Sequence, residues 1–134
     1  MQTSSSALRW FSRVVIIGIL ANLALAVPTL LAPAALMAFS RLPEATPLLW
    51  PRFAALLLIL LSAFYVPAAV DPVRYRAVAW LAVLARLAGV VFFLGFQPAE
   101  YHMLGFFDLV FFVPEAILLA SSGRAEPGIR RAFV

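Results

Sequence analysis

Residues 77–120 read AVAWLAVLARLAGVVFFLGFQPAEYHMLGFFDLVFFVPEAILLA. Two apolar runs, 77–96 and 101–120, are each 20 residues long and are parted only by QPAE. A helix rises about 1.5 Å per residue, so each run covers about 30 Å, the thickness of a bilayer's hydrocarbon. A lone strand in lipid would leave its backbone groups unpaired, so both runs read as helices. The short link between them predicts an antiparallel hairpin.

Two further runs of the same kind lie upstream. Residues 10–31 read WFSRVVIIGILANLALAVPTLL, and residues 48–70 read LLWPRFAALLLILLSAFYVPAAV. The expected fold is therefore all-α: an integral membrane four-helix bundle, antiparallel, forming a single domain over residues 1–134. Composition agrees. Apolar residues make up 65% of the chain and charged residues 12%, against about 45–50% and 25% in soluble domains. A soluble fold of this size has too little interior to hide that much apolar surface.

Composition also excludes chemistries. The chain has no Cys, so disulfides, thiolate metal sites, iron–sulfur clusters and a Cys nucleophile are out. It has no Lys, which removes Schiff-base catalysis. His102 is the single His and cannot supply the paired imidazoles of most zinc or haem sites. No cofactor and no metal are expected. All ten basic residues are Arg, against six acids. They gather at span ends, which points to membrane topology and not to nucleic acid.

Orientation follows from those Arg residues. With four spans, the amino end, the second connection and the carboxyl tail share one side. That side carries Arg9, Arg13, Arg74, Arg76, Arg124, Arg130 and Arg131, and the other carries Arg41 with Arg52 just inside its span. The positive-inside rule then predicts both termini in the cytoplasm, as in a bacterial inner-membrane protein. Trp10, Trp50, Tyr75, Trp80 and Tyr101 sit near span ends, where amphipathic rings favour the interface. Arg9, Arg13 and the run ending at Ala24-Leu25-Ala26 also fit a cleavable signal peptide, whose removal would leave three spans. The apolar run continues through Leu30 and Leu31, which favours a retained span.

Between the first two spans, PAALMAF (33–39) predicts a short interfacial helix with Pro33 in its first turn. Asp71–Arg76, DPVRYR, reads as a tight polar turn. Residues 121–134 carry Gly, Pro and charge and are expected to form a loosely ordered cytoplasmic tail. Pro28, Pro67 and Pro114 predict kinks. Glu100 and His102 near the outer interface suggest either a proton relay or, more simply, a solvated His.

The informative residues are charges inside the spans. Arg86 and Asp108 lie near the middle of spans three and four, Glu115 follows Pro114, and Arg52 lies about one turn inside span two. A charge at the bilayer centre costs about 3 kcal/mol or more on insertion scales, so such groups face inward and pair. Asp108 and Glu115 are seven residues apart and share a helix face. Counting from a turn at Ala99, Arg86 lies about 6 Å deeper than Asp108 and about 4.5 Å shallower than Glu115. Either gap is within a guanidinium's reach. The expectation is a ladder of Arg52, Asp108, Arg86 and Glu115. Asn22 shares a face with Gly18 and Thr29, and Ser62 neighbours Tyr65. Asn22 and Tyr65 complete the expected binding set. Ala85 and Gly89 form a small-xxx-small pair that permits close helix approach beside Arg86. The Phe-rich runs read as packing or lipid-facing surface.

The run FYVPAAVDPVRYRAVAWLAVLARLAGVVFF, from Phe64 to Phe93, resembles small bacterial four-span membrane proteins of unassigned function. The general plan also resembles the DoxX-type four-helix membrane proteins in layout and length. Some of those accompany quinone-linked oxidoreductases.

Three functions are compatible with these residues. The first is a non-catalytic accessory or assembly component, or a homo-oligomer, in contact with membrane lipid and a larger complex. The second is a membrane enzyme on a lipid-soluble substrate, an isomerase, cyclase or hydrolase, with Asp108 or Glu115 as acid or base and Arg86 beside them. The third is a proton-coupled carrier in which a carboxylate titrates.

Overall fold

A computed structural model describes residues 2–123, with side chains from Ser5 onward. It is all-helical over those residues. The elements are α1 (Gln2–Leu31), α2 (Pro33–Phe39), α3 (Leu49–Val70), α4 (Arg76–Val90) and α5 (His102–Gly123). A π-helical stretch, Val91–Phe96, continues α4, and a 3-10 turn, Ala99–Tyr101, leads into α5. Four segments are long and apolar enough to cross a membrane: Ser5–Leu31, Leu49–Val70, Arg76–Phe96 and Ala99–Gly123. The chain is a multi-pass membrane protein.

Its surface is what lipid requires. Large apolar side chains point outward, among them Leu31, Phe64, Val70, Phe96 and Val110, each at least two-thirds exposed. In water such a surface would drive association. The buried faces are rich in small and polar residues, with a few larger apolar ones. On α1 they are Phe11, Val15, Gly18, Asn22 and Ala26, spaced three or four apart and so on one stripe. On α3 the buried face holds Ala55, Ser62, Tyr65 and Ala69, and on α4 it holds Ala79, Ala82, Val83 and Arg86. Small residues let helix backbones approach closely where no water exists to drive apolar side chains together.

The spans touch in a ring: α1 with α3, α3 with α4, α4 with α5, and α5 with α1. An apolar cluster closes one half of the interior. It joins Phe11 and Val15 at the start of α1 with Tyr65, Ala68 and Ala69 late in α3, Ala79 and Ala82 early in α4, and Leu119 late in α5. A polar layer follows at mid-height. Beyond it, the far half holds a cavity.

Several sequence expectations hold. The short helix over 33–39 forms with Pro33 at its start. The 71–76 connection is a turn in which Asp71 Oδ1 accepts a hydrogen bond from the Arg74 backbone N–H at 3.0 Å. Boundaries differ at both ends. Helix α1 begins well before Trp10, and α5 runs on through Ser121, Ser122 and Gly123, residues expected to belong to the tail. Ser121 and Ser122 donate their hydroxyls to the carbonyls of Leu118 and Leu119, so their polar groups are met within the helix. The rest of the expected tail, 124–134, lies outside the described residues. The π-helical stretch was not foreseen. It brings Phe93 and Leu94 together against Gly105 of α5, where even a methyl group would collide with Leu94.

Candidate functional site

The polar layer is built from one residue of each span. Arg86 on α4 is 3% exposed, and its Nη1 donates to Asp108 Oδ1 on α5 at 2.8 Å and to Asn22 Oδ1 on α1 at 3.0 Å. Asn22 Nδ2 donates in turn to Ser62 Oγ on α3 at 3.1 Å. The Ser62 hydroxyl donates to the Leu58 carbonyl at 2.8 Å. A single hydrogen-bonded chain therefore runs Asp108, Arg86, Asn22, Ser62 and ties all four spans at one height.

Two glycines make room for it. A Cβ on Gly18 would stand 2.9 Å from Arg86 Nη2 and 3.3 Å from the Phe111 ring. A Cβ on Gly89 would overlap the Asp108 carboxylate. The small-residue pair on α4 thus serves the approach expected of it: Gly89 admits the carboxylate that Arg86 binds. Phe111 and Phe107 complete the pocket, with the guanidinium carbon 4.9 Å and 5.7 Å from their ring centres. An aromatic face attracts a cation, and more strongly where water is excluded. The sequence pattern alone suggests packing or lipid-facing surface for these two rings. Their four-residue spacing, which straddles Asp108, was the signal that placed them beside the charge.

The expected ladder is only partly present. Arg86–Asp108 is the one ion pair among the described residues. Glu115 is buried at 2% exposure and shares the space around Gly18 with Arg86, but it forms no ion pair. Its Oε2 has no hydrogen-bond partner, and neither has Arg86 Nε. Phe111 lies on the shared face of α5, one turn from each carboxylate, with its ring centre 4.9 Å from the guanidinium carbon.

Arg52 does not join the ladder. It is exposed and makes no ion pair. At about 100° per residue, Arg52 lies about 60° round α3 from Ala55, on the side away from Ser62 and Tyr65. Its side chain therefore points off the interior face. Tyr65 is buried in the apolar cluster, and no hydrogen bond links it to the polar layer; Ser62, its neighbour, takes that role. Thr29 faces inward as expected but donates to the Leu25 carbonyl of its own helix at 2.6 Å. The ring of His102 meets the Gln97 carbonyl at 3.2 Å, and Glu100 is exposed. Arg52→Gln is expected to leave stability unchanged within about 0.5 kcal/mol, as for surface substitutions generally. Unfolding of the purified variant in lipid checks this.

The cavity adjoins the polar layer and has a volume of about 480 Å³. Asn22 and Asp108 line one end. Leu25, Leu58, Phe93 and Leu104 form walls, and Met37 of α2 lies over it. Asp108 is the charged residue in this lining, and its side chain is 18% exposed against 4% for Arg86.

Comparison with protein-family models, with curated proteins and with solved structures gave no match. The site is therefore read from its own geometry. Among the described residues, no group of three or more His, Asp or Glu side chains is placed to hold a metal ion.

Proposed function

We propose that the chain is a non-catalytic accessory or assembly component of a membrane complex in the bacterial inner membrane. It is read as an antiparallel four-helix bundle with both termini in the cytoplasm. The seven Arg residues assigned to one side support that orientation. So does the apolar cluster, which gathers the beginnings of α1 and α4 with the ends of α3 and α5.

One observation carries the functional reading. The central guanidinium is engaged by groups from two other spans, and the chain of bonds continues to the last span. Buried ionic groups used this way fix register and orientation between helices that otherwise present only apolar surface. A pre-set scaffold of this kind suits a small subunit that shapes or holds a larger partner.

A second reading, an enzyme on a lipid-soluble substrate, is favoured by one feature: the cavity reaches Asp108. Against it, the Asp108 carboxylate is held by Arg86, and Glu115 does not line the cavity.

The test is gentle solubilisation from the native membrane. The expected result is co-migration with another membrane protein at fixed stoichiometry, abolished by Arg86→Gln. Migration of the intact chain alone, with turnover of a lipid-soluble substrate that Asp108→Asn removes, overturns the accessory role.

A further inference from the structure

We propose that the cavity in the far half of the protein is a binding site for a neutral lipid alcohol drawn from the membrane. Its apolar body would lie against Leu25, Leu58, Phe93 and Leu104, and its hydroxyl would meet the Asp108 carboxylate. The site does not depend on the chain having a protein partner.

Size is the first support. The cavity's volume of about 480 Å³ falls within the range of about 300–1,000 Å³ typical of small-molecule sites. Its construction is the second. Such sites are mostly apolar with a few convergent polar groups that fix orientation. Here the walls are mostly Leu, Ala and aromatic side chains, with Thr29 and Tyr101 among them, and Asp108 stands at the mid-membrane end.

The chemistry of that end selects the ligand. Asp108 is more exposed to the cavity than its cation, Arg86, which is absent from the lining. A ligand therefore meets an acceptor first. An ionised carboxylate accepts at about four lone-pair positions, and Arg86 takes one through Oδ1. Asn22 stands behind it, fully buried and held by Ser62 and Arg86. A hydroxyl gives its proton to the Asp108 carboxylate without bringing a charge of its own. A fatty acid or a phospholipid headgroup brings negative charge toward Asp108, with no Arg or Lys in the lining to receive it. A lipid amine brings a second cation to a carboxylate that Arg86 already neutralises, and loses its own hydration as well.

Entry would be from lipid beside α3, where Trp50 and Ala54 both line the cavity and are exposed. Leu36 and Met37 of α2 lie across the same space. The short helix thus covers the membrane-interface end of the site, while the polar end stays at mid-height.

The experiment uses the full chain in phosphatidylcholine nanodiscs. The probes are hexadecanol and hexadecanoic acid, each carrying a photoreactive diazirine in its chain. The alcohol is expected to label peptides containing Leu25, Leu58, Phe93 or Leu104, saturably, and to be displaced by unlabelled hexadecanol. The acid is expected to label them about tenfold less, since one lost or repelled polar contact is worth about that factor. Ala55→Phe, which fills the cavity from α3, is expected to abolish the saturable labelling. Leu58→Phe serves the same purpose if Ala55→Phe does not fold. Labelling that does not saturate and is spread over lipid-facing residues such as Leu20, Leu60 and Val110 overturns the site. Equal labelling by acid and alcohol overturns the assignment of the ligand, as does labelling that survives the folded cavity-filling variant.

Discussion

Arg86→Gln is expected to be the most destabilising conservative substitution in the chain, by about 3–5 kcal/mol, the usual cost of removing one partner from a buried ion pair. The reason lies in what it strands. Asp108 loses its counter-ion, Asn22 Oδ1 loses its donor, and Glu115 is left buried in the same space without a nearby cation. The aromatic faces of Phe107 and Phe111 lose the charge they surround. Gln is too short to restore these contacts together. Asp108→Asn is expected to cost less, because Asn can still accept from Arg86 and Glu115 remains beside the guanidinium. The ranking, with Arg86→Gln far above Asp108→Asn and Arg52→Gln near zero, is checked by reversible unfolding in detergent–lipid mixtures. Equal losses for Arg86→Gln and Arg52→Gln would contradict it.

The second large effect is expected at a residue with no polar atom in its side chain. Gly89→Leu should break the Arg86–Asp108 pair by bulk alone, since even the first carbon of a side chain there overlaps the Asp108 carboxylate. Overpacking costs about 1–3 kcal/mol, and displacement of the carboxylate adds the loss of its ion pair. Gly95 gives the control: a Cβ there meets nothing within 4 Å. Gly95→Leu is therefore expected to leave assembly intact. Thermal unfolding and retention of a monodisperse species in detergent distinguish the two. Loss of assembly in both variants would mean that the third span tolerates no added bulk anywhere, and that Gly89 has no special relation to Asp108.

The membrane spans were legible because about 20 apolar residues in succession have one low-energy use, and the chain contains that pattern in each of its four spanning segments. The Arg86–Asp108 pair was legible for a related reason. Rise per residue sets the height of a side chain to within a few ångströms, and a charge in hydrocarbon has to find its opposite. Asn22 followed from its spacing to Gly18 on one face of α1.

Rotation about each helix was much less legible. Arg52 and Ala55 are three residues apart, yet only Ala55 faces inward. Ser62 and Tyr65 lie on neighbouring positions of α3, yet the hydroxyl that meets Asn22 is that of Ser62. Height alone also left Asp108 and Glu115 as equal partners for Arg86. In the structure Asp108 takes the ion pair, and the Phe111 ring, one turn from each carboxylate, packs on the guanidinium. The cavity was not legible at all. It is the gap left where α1, α3, the π-helical stretch and α5 meet beneath α2, and no single segment carries its signature.

The central claim is that one buried ion pair, extended by Asn22 and Ser62, holds four lipid-embedded helices in register. A double-mutant cycle on Arg86→Gln and Asp108→Asn, measured by unfolding in lipid bicelles, tests it most directly. A coupling energy of about 1–3 kcal/mol is predicted, as for side chains in direct contact. Losses that simply add, within about 0.5 kcal/mol, would contradict the claim and place the two residues in separate environments.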